Sequence, residues 1–205
     1  MDFYAQAFQD EFAARVLGFK QGGYFLDIGS GDPIGFNNTH ALESLKWVGL
    51  CIDILDIAEK YTHRRAKYLK LDATTTDYQA LFERESVPAS IDYLSLDVDE
   101  CSTKTLQRLL LPSYRYKTIT VEHDAYLHGD KFRAPQRKML TDAGYLLIFA
   151  DICPDPDRWH HQFAFFEDWW IDPTAVSFRP PNDFKGCRTE SGGYYASEIM
   201  KLLRQ

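Results

Sequence analysis

Apolar residues fall into short runs along this chain, most of the runs end in an acid, and segments with helical spacing separate them. Tyr24 to Ile28, Val48 to Ile54, Lys67 to Leu71, Ile91 to Leu96 and Thr118 to Val121 read as strands, with the short apolar-rich pattern of a sheet covered on both faces. Between them Ala41, Leu42 and Leu45, then Tyr78, Leu81 and Phe82, then Leu106, Leu109 and Leu110 recur at helical spacing. Asn38 is placed to cap the first of these helices, through Trp47, and Ser102 the third. Asp130 opens a further helix through Ala143, with Gly144 as its C-terminal cap. Tyr145 to Ile152 and Gln162 to Ile171 form two more strands, joined by a Cys153 to His161 loop too short for a crossover helix, so they should be antiparallel neighbours. Residues 172 to 193 read as irregular and Ala196 to Leu203 as a closing helix. The alternation predicts one α/β domain over residues 1–205.

Composition narrows the chemistry. A net charge of −7 argues against a broad phosphate-binding face, so no nucleic-acid partner is expected. No apolar run reaches the length of a membrane span, and Met1 to Gln6 lack the basic start and apolar core of a signal peptide, so the expected location is cytoplasmic. Cys51, Cys101, Cys153 and Cys187 are widely spaced and read as isolated thiols.

The most informative stretch is Tyr24-Phe-Leu-Asp-Ile-Gly-Ser-Gly-Asp32. Gly29 and Gly31 follow a strand, where the lack of a Cβ lets backbone N–H groups approach a ligand. Asp27, Asp53, Asp72 and Asp97 end four successive strands, which places them along one edge of a parallel sheet, where such folds bind ligands. An acid at this position suits a hydroxyl-rich or positively charged ligand better than a pyrophosphate, which favours S-adenosylmethionine. A dinucleotide fingerprint would need glycine at position 34, and the chain has Ile34. Asp27, Gly29, Ser30 and Gly31 are expected beside the methionine part, Asp53 on both ribose hydroxyls, Asp72 with Ala73 at the adenine, and Asp97 near the departing methyl.

These residues resemble class I methyltransferases, and within them the FkbM-like family of sugar and polyketide O-methyltransferases. The resemblance is carried by Gln6 to Phe12, Phe25 to Gly31, Asn37 to Thr39, Gly49 to Asp53, Asp92 to Asp99, Glu122-His-Asp124, Gly144-Tyr145 and Phe166 to Trp170, in the family's order. It implies a Rossmann-like three-layer sandwich with a seven-stranded, mostly parallel sheet whose last strand is antiparallel. It further implies that Gln9 and Asn38 join the cofactor site and that the acceptor is a hydroxyl of a sugar or glycan. Pro33 in the nucleotide loop and Glu100 after Asp99 depart from the family's pattern.

A sugar hydroxyl is a poor acid, so its methylation calls for a general base or a metal. Asp97, Asp99 and Glu100 after the fourth strand and Glu122, His123 and Asp124 after the fifth are expected to share one cleft. By analogy with catechol-type enzymes of the same fold class, Asp97, Glu122 and His123 would hold magnesium or manganese. Without a metal, His123 is the expected base, with Asp97 and Asp99 beside it, although a hydrogen-bonded turn histidine is the plainer reading. His160 and His161 read as surface or acceptor-loop residues. The aromatic segment Trp159, Phe163, Phe165, Phe166, Trp169 and Trp170 reads as core and a homo-oligomer interface, or as a sugar platform with Trp159 and Tyr126 nearest the cleft. Lys131, Arg133 and Arg137 read as a solvated helix face. Methylation of a small phenol or of RNA, and an idle nucleoside-binding module, are the competing functions.

Overall fold

The computed structural model describes residues 1–154, 165–178 and 193–205. Strands β1 (Tyr24–Ile28), β2 (Val48–Asp53), β3 (Lys67–Lys70), β4 (Ser90–Leu96) and β5 (Arg115–Glu122) pair in parallel, and β6 (Leu146–Cys153) and β7 (Glu167–Ile171) complete the expected seven. β7 runs antiparallel between β5 and β6, giving the order β3-β2-β1-β4-β5-β7-β6-β8. The eighth strand, Tyr194–Tyr195, was not foreseen: two residues pair in parallel with the edge of β6 and carry no run long enough to read.

Successive residues of each strand point to opposite faces, which divides the core in two. Leu26, Ile28, Leu50, Ile52, Leu94 and Leu96 pack on one side with α2 (Tyr78–Arg84), α3 (Ser102–Leu109) and α5 (Asp130–Asp142, which follows the single turn α4, Ala125–His128) through Phe82, Leu106, Leu109 and Leu140. Phe25, Cys51 and Tyr93 face the other side, against Ala13 and Ala14 of α1 (Gln9–Val16). That layer continues over β6 and β7, where Phe12 stacks on Trp169 at 4.6 Å and Ile199 and Met200 of α6 (Ala196–Leu203) close the cluster. Trp169 and Trp170 therefore go to opposite layers, each fully buried, and Phe166 is buried with them. Each such side chain contributes roughly 2–3 kcal/mol by burial, which assigns Trp169 and Trp170 to the core rather than to a platform or interface. Trp159, His160, His161, Phe163 and Cys187 lie outside the described residues, as do residues 162–164 of the expected seventh strand and 179–192 of the expected irregular segment. No helix among the described residues is long and apolar enough to cross a membrane.

The expected helix from Asn38 to Trp47 is a 3-10 segment, His40–Leu45. The capping oxygen belongs to Asn37, whose Oδ1 accepts from the N–H groups of Thr39 and His40, while Asn38 turns inward to Ser95 Oγ. Lys46, at φ 63°, then stops the segment. Asp130 is the first residue of α5 and not its cap, because Gly129 occupies that place at φ 58°.

Candidate active site

The carboxyl ends of β1, β2 and β4 are locked to one another through the Gly29 loop. Gly29 N–H donates to Ile52 O at 2.8 Å, and Asp97 N–H donates to Ile28 O at 2.9 Å. Gly29 has φ 83°, and a Cβ there would lie 1.6 Å from Asp97 O, so only glycine fits. Gly31, at φ 53°, donates its N–H to Asp53 Oδ2 at 2.8 Å. The Tyr61 hydroxyl lies within hydrogen-bond reach of the Ser30 and Gly31 carbonyls, to which its one proton is shared, and of Ser30 Oγ, which ties the loop down.

Asp27 does not reach open space. It is buried beneath the loop, where its Oδ2 accepts from Thr39 Oγ1 at 2.7 Å and Asn37 Nδ2 at 3.3 Å. Arg64, ion-paired to Glu43, closes this network by donating to Pro33 O, Asn37 Oδ1 and Thr39 Oγ1. Desolvation pushes the Asp27 carboxyl up to about 6, against the Thr39 hydrogen bond and the Arg64 charge. Its folded pKa thus exceeds the ordinary 3.8, so its stability contribution is full below about pH 4 and is lost as pH rises through about 6. Asp27→Asn keeps an acceptor for Thr39 and Asn37 and removes the buried charge. We expect it to raise stability at pH 8 by on the order of 3 kcal/mol and to leave it little changed at pH 4, as measured by urea unfolding at both values.

Among the described residues, two adjoining cavities open at this edge of the sheet. The larger, of about 490 Å³, is lined by Gly29, Asp53, Asp72, Ala73, Asp97 and Asp99, with Ile54, Leu55, Leu71 and Val98 as apolar walls. Of the residues expected at a cofactor, Gly29, Asp53, Asp72, Ala73 and Asp97 line it, whereas Gln9, Asp27, Ser30, Gly31 and Asn38 do not. Asp53 Oδ1 accepts from Leu55 N–H at 3.0 Å, leaving each carboxylate oxygen a further lone pair. Asp72 Oδ1 is taken by Thr74, whose hydroxyl and N–H hydrogen bonds hold the carboxyl below its ordinary value. Gln9 is buried, with its Oε1 accepting from Ala7 N–H and its side chain bonded to Glu167.

The second cavity, of about 180 Å³, is bounded by Gln6, Asp99, Glu122, Asp124, Tyr126, Pro154 and Phe166 and shares Asp99 with the first. Asp99 and Asp124 both adopt left-handed backbone, at φ 48° and 45°, which costs a non-glycine residue about 1 kcal/mol or more and is held only by its surroundings. Asp97 is half-buried at the junction of the cavities and hydrogen-bonded to Glu122; desolvation raises both carboxyls, and the pair shares a proton. Burial and the charges of Asp97 and Asp99 raise Asp124 to about 6. Carboxylate oxygens of Asp99, Glu122 and Asp124 lie within 4.8 Å of one another.

His123 takes a different place from the one expected. It is buried, its Nδ1 accepts from Ala125 N–H at 3.1 Å, and its Nε2 lies 3.4 Å from Asp168 Oδ1 and 3.9 Å from Asp151 Oδ1. Glu100 also leaves the expected cluster and lies 3.7 Å from His128. Arg133 and Arg137 are no solvated face: both pair with Asp151, and Arg137 also grips Asp168 through Nε and Nη2. Reasoning from sequence missed this group, together with Arg64, Tyr61 and Glu167, whose carboxyl is raised to about 8 by burial. Only the positions of Asp151 near the end of β6 and Asp168 at the start of β7 could have hinted at it.

No protein-family model matches the chain, and no curated protein sequence matches it. Among solved structures, the chain is similar to a protein of Clostridium thermocellum provisionally described as an rRNA-methylase, with TM-score 0.55 and 13% identity over 84% of this chain and 99% of that one. It is also similar to MycE, a methyltransferase of the mycinamycin biosynthetic pathway solved in complex with Mg and SAH, with TM-score 0.52 and 15% identity over 86% of this chain and 52% of that one. With the sheet order and its single antiparallel insertion, these likenesses define the fold as that of the class I methyltransferases, Rossmann-like and three-layered.

Proposed function

We propose that the chain is an S-adenosylmethionine-dependent O-methyltransferase acting on a hydroxyl of a sugar or glycan. The observation that carries this reading is the pair of adjoining cavities that share Asp99, one lined as for a nucleoside and one lined by carboxylates. In the larger cavity the remaining lone pairs of Asp53 suit both ribose hydroxyls, and the Ile54, Leu55, Leu71 and Val98 walls suit adenine. Asp72 Oδ2, left over by Thr74, suits the adenine amino group, and the acidic junction at Asp97 suits a sulfonium. We expect Asp53→Ala to weaken S-adenosylhomocysteine binding about 10- to 100-fold through the loss of two charge-assisted hydrogen bonds, as read by calorimetric titration.

The acceptor hydroxyl occupies the smaller cavity. Its oxygen forms the bond to the methyl carbon as the sulfur–carbon bond breaks, and the sulfur leaves as a neutral thioether. Asp124 takes the hydroxyl proton, and the carboxylates around it orient the remaining hydroxyls of a polyol by accepting hydrogen bonds. In a metal-assisted alternative to proton transfer onto Asp124, once the proton shared by Asp97 and Glu122 has left, Asp99, Glu122 and Asp124 would hold a divalent cation, since three crowded hard oxygen donors fit magnesium or manganese. Such an ion, when bound, supplies the positive charge that makes a bound hydroxyl more acidic. This set replaces Asp97, Glu122 and His123, because the carboxylate oxygens that converge are those of Asp99, Glu122 and Asp124, while the His123 ring faces Asp168.

An RNA acceptor is the second reading, favoured by the likeness to the protein described as an rRNA-methylase. At 13% identity that likeness speaks for the fold, and three acids at the acceptor mouth would repel a phosphodiester. The test is transfer of labelled methyl from S-adenosylmethionine to a panel of sugars, a catechol and RNA, each with chelator and with magnesium or manganese. Labelled sugar supports the reading. Label in RNA or catechol alone overturns the acceptor, and full transfer after stringent metal removal overturns the cation.

A further inference from the structure

We propose that His123 is a positioning residue that fixes the turn carrying Asp124, and neither the base nor a metal ligand; this rests on Asp124 being the proton acceptor. Asp124 sits in left-handed backbone at φ 45° and ψ 46°, a conformation that aspartate holds only under constraint. Three hydrogen bonds surround it. His123 and Asp124 both donate their N–H groups to Phe166 O, at 2.7 and 3.0 Å, and Ala125 donates its N–H to the His123 ring at 3.1 Å. A ring nitrogen that accepts a backbone N–H carries no proton, so Nδ1 is bare and the ring's proton sits on Nε2.

His123 lines neither cavity, and its Nε2 faces Asp168 at 3.4 Å. Asp168 is itself immobile: Arg137 holds both its oxygens, at 2.7 and 2.8 Å, and Asp151 donates its N–H to it at 2.8 Å. Burial alone would raise its carboxyl, but Arg137 and His123 bring it down to about 2. The His123, Asp151 and Asp168 group has metal-like spacing, yet Arg133 and Arg137 already supply its positive charge. A chain of contacts thus runs from α5 through Asp168 and the imidazole to the Asp124 turn, and the imidazole acts on the acceptor only through that turn.

Substitution separates the roles. Asparagine at position 123 can accept the N–H two residues on, as in an Asx turn, but can neither titrate near neutrality nor serve as a base. We expect His123→Asn to keep kcat within about 5-fold of the parent with an unshifted pH profile. His123→Leu should lower kcat on the order of 10²-fold by misplacing the turn, with S-adenosylhomocysteine affinity unchanged. Nitrogen-15 spectra of the intact protein's histidine rings, which need no acceptor, should show a pyridine-like Nδ1 and a pyrrole-like Nε2 for His123. Two results overturn the proposal: a protonated Nδ1 at pH 8, or a folded, cofactor-binding His123→Asn protein as inactive as His123→Leu. A protein that shows the expected ring state but transfers no methyl to any acceptor upholds the turn geometry and instead overturns the function built on it.

Discussion

Gly29→Ala is expected to abolish the proposed S-adenosylhomocysteine binding, with the dissociation constant rising by at least about 10²-fold, and to lower stability by several kcal/mol. Two independent physical reasons give the same sign. The backbone at φ 83° disfavours any side chain, and the new methyl would lie 1.6 Å from Asp97 O and 2.9 Å from Val98 Cγ1. The obstacle is main chain, so no rotamer change relieves it; the end of β4 must move away from β1. That movement breaks the Asp97 to Ile28 hydrogen bond and opens the floor of the larger cavity. Calorimetric titration and thermal unfolding of the variant measure both effects. A variant that binds normally would show that the loop does not shape the cofactor site.

Arg137→Ala has the largest expected effect on stability away from that loop, a loss of about 3–5 kcal/mol, because it leaves the buried Asp168 carboxylate without its bidentate partner. Adding Asp168→Asn should restore part of the loss, since a neutral amide no longer strands a charge. The pH dependence carries a second signature. The folded pKa of Asp168, about 2, lies below the ordinary 3.8, so its contribution is present above about pH 4 and is lost as pH falls toward 2. Arg137→Ala should remove that part of the acid limb. Denaturant unfolding of the single and double variants from pH 3 to 8 checks the magnitude and the sign together.

The contrast between these two residues shows how far the sequence could be read. Gly29 lies in a strand–turn pattern whose meaning is local, because alternating strand residues and a glycine bend leave their mark within a few positions. For the same reason β1, α6 and the acids at the ends of β1, β2 and β4 were legible. Arg137 bonds to a partner 31 residues away, and Arg64 bonds to Pro33, also 31 away, so no local pattern distinguishes either from a solvated arginine. Direction was illegible too. Asp27 and His123 sit at strand ends as expected, but one points beneath the loop and the other away from the cleft, choices made by Thr39, Asn37 and Asp168 rather than by their own neighbours. The Asn37 cap was missed because two adjacent asparagines offer the same chemistry, and only packing against Ser95 decides between them.

The most direct test of the central claim is calorimetric titration of the folded chain with S-adenosylmethionine and S-adenosylhomocysteine, with Asp53→Ala beside it. The proposed function predicts one site per chain for either ligand, weakened about 10- to 100-fold by the substitution. Absence of binding to the folded chain, or binding that ignores Asp53, would contradict it.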